Sequence, residues 1–433
     1  MAKILDKQIY TCALGALNSV HAIDRVIPIL HSGPGCGAKL GGYDGNSGFY
    51  SPNIFPCSSI SEKEVVFGGA GKLHDTIENA LKVVDADLYV VMSGCTSEII
   101  GDDIGDVTQE FQEQGYPVVY ANTPGFKGNN LRGHDWTLTA IFDQFVQPVK
   151  EKEKGLVNLF VSVPFFDPFW YGNLMELKKL LIQIGLKVNT IFGHGSGIEN
   201  LKRAAAAEYS ILVSPWTTLE TVQFLEKKFG TPYLHYRNLP IGAVETSKFL
   251  RKVAAFTGAD QIRTEKLIDE KESEFYYFIE RYADMFLETR AISNRFSVVS
   301  DSQYALAITK FLTNDMGMFP VKQFILDDAP EQHRRSITDE FENLNYGIKA
   351  EVEFTTNGTD VYEQLRKQDF NGPAFILGSC WEKKIADELD GNFLNISQPV
   401  LGRIIMNSFY AGYDGGLHFV EDMYTKAAEK LIL

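Results

Sequence analysis

Val26-Ile-Pro-Ile-Leu30, running directly into His31-Ser-Gly-Pro-Gly-Cys36-Gly37, is the stretch that decides the fold. A short apolar run closed by glycine and proline reads as a strand buried on both faces, followed by a turn. The same grammar returns at Asp87–Met92 (DLYVVM) before Ser93-Gly-Cys95-Thr-Ser-Glu98. It returns again at Val118–Ala121 (VVYA) before Asn122-Thr-Pro-Gly-Phe-Lys-Gly128. Between the first two strands, Glu64–Val84 reads as helical after a turn at Gly68–Gly71.

The alternation continues to the C-terminus. Strands are expected at Val157–Val163, Lys187–Phe192, Ser210–Val213, from Arg295 (RFSVVSD), at Val321–Leu326 and at Ala374–Leu377. Helices are expected over Asn173–Ile184, Thr217–Phe229, Gln303–Asn314 and Val361–Arg366, with a long charged one from Gln261 to Ile292. The fold class that follows is α/β, with three Rossmann-like domains built on mostly parallel, doubly wound sheets. The expected boundaries are residues 1–153, 154–292 and 293–433. Such sheets bind ligands beyond the carboxyl ends of their strands, where Ser32, Cys36, Ser93 and Cys95 fall.

Composition narrows the function. With 433 residues the chain is long enough for two or three cores. Its 41 Lys and Arg against 56 Asp and Glu give a formal charge of −15, which excludes nucleic acid and anionic membranes as natural partners. No run approaches the ~18 apolar residues of a membrane span, and the N-terminus carries no secretory signal. Five cysteines, an odd and low count, argue against a disulfide framework and for a reducing cytoplasm.

Three of those cysteines, Cys12, Cys36 and Cys95, sit in strand ends or glycine-rich turns. None forms a C-x-x-C pair, so a zinc knuckle or thioredoxin motif is excluded. Three thiolates are one short of the usual iron–sulfur set, so a site built from them needs a partner to complete it. Gly33, Gly35, Gly37 and Gly94 let the backbone approach a cluster closely and offer N–H groups to sulfur.

CALGA, PILHSGPGC, SEKEVVFGGAGKL, SGCTSEIIGDD and NTPGFKG, in this order and spacing, resemble the β-type subunit of nitrogenase component 1. GYDGG at Gly412–Gly416 resembles that family's C-terminal signature. The resemblance covers essentially the whole chain and is strongest over residues 8–135. It implies that Cys12, Cys36 and Cys95 are the β-side ligands of an 8Fe-7S P-cluster, shared with an α-type subunit in an α2β2 heterotetramer. It further implies that an ATP-dependent iron–sulfur reductase docks transiently, with Phe67 matching the family's docking aromatic; an exposed aromatic at a helix start suits such an anchor. Some members carry a serine that binds the oxidised cluster where this chain has Gly125. Cys57 (FPCSSISEKE) and Cys380 (LGSCWEKK) are expected to stay off the cluster. The α-type subunit holds its cofactor with one Cys and one His. Here the corresponding segments read LVSPWTT, with Pro215 and Trp216, and RIIMNSFYA, so this chain is not expected to hold the substrate-reducing cofactor.

The remaining motifs carry less. Gly68–Leu73 (GGAGKL) lacks the first glycine and the Ser or Thr of a phosphate loop, so ATP is not expected there. Gly193-His-Gly-Ser-Gly197 has the wrong spacing for a dinucleotide fingerprint. His31 reads as a structural hydrogen-bonding group near the Cys36 turn. The aromatic run Phe165–Tyr171 suits either a subunit interface or core packing.

The expected function is thus an oxidoreductase subunit that passes electrons from the reductase to the partner's active site, with no catalytic residue of its own. The substrate is nitrogen or a carbon–sulfur compound, the latter as in the methylthio-alkane reductase branch. The alternative is a β-type scaffold for cofactor assembly. Scaffold relatives usually keep only the first of the three cysteines, whereas this chain keeps all three.

Overall fold

The computed structural model describes residues 12–43, 55–288 and 292–432. The first section folds around β1 (Val26–His31), β2 (Leu88–Ser93) and β3 (Val118–Asn122), in the order β1-β2-β3. The second contains β4 (Glu153–Phe160), β5 (Lys187–Asn189), β6 (Ala207–Val213) and β7 (Tyr233–Tyr236), in the order β5-β4-β6-β7. The third holds β8 (Arg295–Ser300), β9 (Phe319–Pro320), β10 (Gln323–Ile325), β11 (Val352–Phe354), β12 (Phe375–Gly378) and β13 (Asn392–Asn395). Its order is β11-β10-β8-β12-β13, with β9 on β8. Every pairing between these strands is parallel.

Burial on both faces explains why these strands read as continuous apolar runs. Along β2, Leu88, Val90 and Met92 join the large shared core, while Tyr89 and Val91 pack with Leu73, Ile77 and Phe111 from the helices Ala70–Val83 and Ile104–Glu113. In the third sheet Val298 and Leu377 face the shared core, and Val299 and Ile376 face a separate cluster. The shared core runs through all three sections.

Local departures from the sequence reading have local causes. Gly68, at φ 90°, divides the expected Glu64–Val84 helix into Glu62–Phe67 and Ala70–Val83. SGPGCG does not end as a turn: Pro34 opens a helix, Pro34–Tyr43, that carries Cys36, because proline is pre-set for the first helical position. β5 stops at Asn189, three residues early, and the chain then turns through Gly193 and Gly195, both at positive φ. That GHGSG segment ties two sections together: Gly195 N–H donates to Asp24 Oδ2 at 2.7 Å and Asp24 N–H to the Ser196 carbonyl at 2.8 Å.

The C-terminal helix, Gly412–Ile432, returns to the second section. Gly412 N–H donates to the Pro240 carbonyl at 2.8 Å, and Asp414 pairs with Lys179 and Lys271. A Cβ at Gly416 would stand 2.7 Å from the Gly242 Cα, and one at Gly415 2.3 Å from the Tyr410 carbonyl carbon, so GYDGG is a close-approach motif. The aromatic run resolves toward the core: Phe169 and Trp170 are buried, and Phe169 packs on Tyr410 with ring centroids 4.4 Å apart. Among the described residues no helix is long and apolar enough to cross a membrane.

Candidate metal centre

Register places the site. His31, Ser93 and Asn122 are partners in one row at the carboxyl edge of the first sheet. The segments that carry Cys36, Cys95 and Gly125 therefore leave the sheet side by side. Cys36 lies in the first turn of Pro34–Tyr43, and Cys95 opens the helix Cys95–Ile100 directly after Gly94. The Gly125 loop is held to β2 by Thr123, whose N–H donates to Ser93 Oγ at 3.0 Å and whose hydroxyl donates to the Ser93 carbonyl at 2.9 Å. Cys12 arrives from the N-terminal side through a bridge to Asn129, and Ala13 N–H donates to the Gly128 carbonyl at 3.1 Å.

These segments bring the three sulfurs into one locus. A Cβ at Gly125 would lie 3.4 Å from both Cys12 Sγ and Cys95 Sγ, so the two thiols face each other across a residue with no side chain. It would also lie 2.7 Å from Cys12 Cβ, too close for any side chain to stand there without movement. Partial desolvation by the surrounding chain raises the Cys12 thiol above its ordinary range, the Leu14 N–H opposes this, and the charges of Cys36 and Cys95 raise it further. Three sulfurs gathered in this way form a soft donor set, suited to an iron–sulfur or other thiophilic centre.

The locus is open on one side. Cys12 is exposed and Cys36 and Cys95 are half-buried. Ile99, one helical turn beyond Cys95, is 74% exposed, and Phe126, next to Gly125, is 59% exposed. Exposed apolar side chains beside incompletely covered thiols fit a surface that another polypeptide closes.

Cys57 lies beside the Cys36 helix. Its thiol donates to the Ser32 carbonyl at 3.7 Å, and a Cβ at Gly37 would be 3.3 Å from its Sγ. Cys380 follows β12 in the third section.

Phe67 ends its short helix 81% exposed, beside exposed Val65 and Val66. The helix start is fixed by a capping box in which the Ser61 hydroxyl and N–H hold the Glu64 carboxylate down at about 2. Lys72 of GGAGKL donates to the Ser59 carbonyl at 2.7 Å and pairs with Glu64.

His31, read from the sequence as a structural hydrogen-bonding group, and Asp102, which the sequence reading passed over, connect this patch to the thiols. Asp102, the first acid of IGDD, accepts the Gly69 N–H at 2.8 Å through Oδ1, and its Oδ2 lies 3.0 Å from His31 Nε2. Burial lowers the pKa of His31 against the pull of Asp102, so the ring is neutral. Nε2 then carries the proton to the carboxylate, and Nδ1 accepts from Ser58 Oγ at 2.9 Å. The His31 carbonyl in turn accepts from Gly94 N–H at 3.0 Å and from Ser97 Oγ at 2.8 Å, fixing the helix that carries Cys95. A Cβ at Gly69 would sit 2.4 Å from Asp102 Oδ2, which explains the second glycine of VVFGG.

Where the second and third sections meet, a cleft walled by Leu131, Val163, Phe166 and Pro215 also gathers the carboxyl groups of Asp167, Asp301 and Asp327. Burial, then the charge of Asp327, pushes the Asp301 carboxyl up to about 7. Trp216, from the segment LVSPWTT, donates its Nε1–H to Asp327 Oδ2 at 3.0 Å.

The chain is 25% identical over 454 residues to the nitrogenase molybdenum-iron protein beta chain of Azotobacter vinelandii, covering 96% of this chain and 83% of that one. It is 24% identical over 463 residues to the corresponding beta chain of Methanococcus maripaludis, covering 98% and 94%. Its fold matches a solved structure described as nitrogenase Cp1 at pH 6.5, with a TM-score of 0.84 at 19% identity over 100% of this chain and 94% of that one. Residues 11–428 match the family model of nitrogenase component 1 type oxidoreductases, and the chain belongs to that family as a β-type oxidoreductase subunit.

Proposed function

We propose that this chain works in the cytoplasm as the β-type half of a nitrogenase-like α2β2 reductase, with Cys12, Cys36 and Cys95 as its share of an 8Fe-7S P-cluster. The observation that carries the reading is the convergence of these three thiols at one open edge, with Gly125 leaving room between two of them. When bound, the cluster would supply storage and release of single electrons at low potential. The chain's own residues would hold it: the three cysteine sulfurs would anchor it, the glycine-rich segments would bring backbone N–H groups close, and Ile99 and Phe126 would help exclude water once a partner covers them. The division into residues 1–153, 154–292 and 293–433 is supported by one sheet in each unit, apart from Glu153, the first residue of β4, and the C-terminal helix packs back on the middle unit.

The substrate, reduced in the α-type partner, is nitrogen or a carbon–sulfur compound. Retention of all three cysteines at one locus favours the reductase over an assembly scaffold. Anaerobic co-purification with the companion chain tests the reading through iron per αβ unit and the companion's sequence. Eight irons at the seam and a companion carrying three further cysteines are expected. A colourless, iron-free complex would remove the proposal.

The same reading makes the Val65–Phe67 patch the dock for the ATP-dependent reductase. Phe67→Ala is expected to weaken reductase binding at least tenfold, the scale of a lost aromatic anchor at ~2 kcal/mol. Iron content should stay unchanged. Unaltered dependence of turnover on reductase concentration would place the dock elsewhere.

A further inference from the structure

Ser32 lies where the three cysteine-bearing segments meet. It follows the last residue of β1, four residues before Cys36. A Cβ at Gly94, the residue before Cys95, would fall 2.2 Å from Ser32 Oγ and 3.2 Å from a methyl of Leu14, two residues after Cys12. The Ser32 side chain therefore fills the space between the Cys12 and Cys95 segments, and Gly94 is glycine because that space is taken.

Its backbone carbonyl is engaged: it accepts from Ile60 N–H at 2.9 Å and from the Cys57 thiol at 3.7 Å. Its hydroxyl is not. Ser32 is 0% exposed, and Oγ has no hydrogen-bond partner among the described residues. A buried hydroxyl left unpaired costs about 1–3 kcal/mol, and an alanine in the same place would avoid that cost. The neighbouring buried hydroxyls of Ser58, Ser93 and Ser97 all have partners, so the exception falls between the segments that carry Cys12 and Cys95.

We infer that the Ser32 hydroxyl is a hydrogen-bond donor to sulfur of the group held by Cys12, Cys36 and Cys95, and so sets that group's reduction potential. The inference rests on the trio being half of an iron–sulfur site. A donor to sulfur favours the reduced, more negative state, so it raises the potential. Ser32 is not a ligand, and its role differs from that of the cysteines: it tunes rather than anchors.

The test is Ser32→Ala in the anaerobically purified complex with the companion chain. Alanine is smaller and introduces no polar group, so the fold has no reason to fail. Iron content is expected to equal that of the unaltered complex. In a redox titration followed by electron paramagnetic resonance, the oxidised-to-reduced ratio at a fixed applied potential is expected to rise at least threefold. Pulsed spectra in heavy water against light water are expected to lose one exchangeable proton coupled to the cluster. Unchanged potential and an unchanged proton signal, with iron fully bound, would overturn the role of Ser32 alone. An unaltered complex without iron at this locus would overturn it together with the reading of the trio.

Discussion

Cys95→Ala is expected to strip the interfacial iron and abolish electron transfer, while leaving the polypeptide folded. Cys95 is the first residue of the helix Cys95–Ile100, a position alanine occupies well, and its neighbours hold the turn without it. Gly94 N–H still reaches the His31 carbonyl, and Ser97 Oγ still bonds the same oxygen. Stability of the isolated chain should therefore change by no more than about 1 kcal/mol. The metal is a different matter. On the proposed function this chain offers three sulfurs, of which Cys95 faces Cys12 across Gly125, and two would be too few to hold its half of a shared cage. Iron per αβ unit, measured beside a denaturation curve, separates the two effects. Cys380→Ala, in a segment beyond β12, is the matched control and is expected to keep both iron and turnover. Full iron and normal electron transfer in Cys95→Ala would take Cys95 out of the ligand set.

How far the sequence could be read follows from physical range. Strands such as Val26–His31 and Leu88–Ser93 were legible because burial on both faces leaves an unbroken apolar run, bounded by glycine and serine where the edge turns. The cysteine trio was singled out through its glycine context and through resemblance, and its ligand role remains part of the proposed function. What escaped was interaction between positions distant in sequence. His31 and Asp102 meet only because β1 and β2 pair in parallel and the chain after Cys95 folds back over the Gly68–Gly69 turn. No spacing rule announces that contact, although two adjacent acids closing IGDD were a signal that one of them had a task. The helix start at Pro34 was hidden by the same glycines that advertised a turn. The buried Asp301 and Asp327 were hidden because an isolated aspartate after a strand reads equally as a helix cap, a task Asp301 also performs for the Tyr304 N–H.

Gly133→Ala offers the sharpest contest between local and tertiary reasoning. Gly133 lies inside the helix Asn130–Gln144, where local propensity alone predicts that alanine stabilises by about 1 kcal/mol. Tertiary contact predicts the reverse. An added Cβ would stand 2.2 Å from the Ala13 carbonyl oxygen, 2.9 Å from its carbon and 3.0 Å from its Cα. All three are backbone atoms, so no side-chain rotation relieves the clash, and either the helix or the segment after Cys12 must move. Overpacking of this kind costs about 1–3 kcal/mol, more than the propensity gain returns. The displaced residue follows Cys12 directly and is pinned to the Gly128 carbonyl, so the strain is delivered to the thiol that faces Gly125. Gly133→Ala is therefore expected to lower the unfolding midpoint and to lose at least half of the site's iron. Gly71→Ala, in the helix Ala70–Val83 with nothing within 4 Å of its added Cβ, is expected to stabilise slightly and keep all the iron. If Gly133→Ala matched Gly71→Ala in both measurements, the approach of the helix to the Cys12 segment would be looser than these distances require, and the position of Cys12 would have to be fixed from elsewhere.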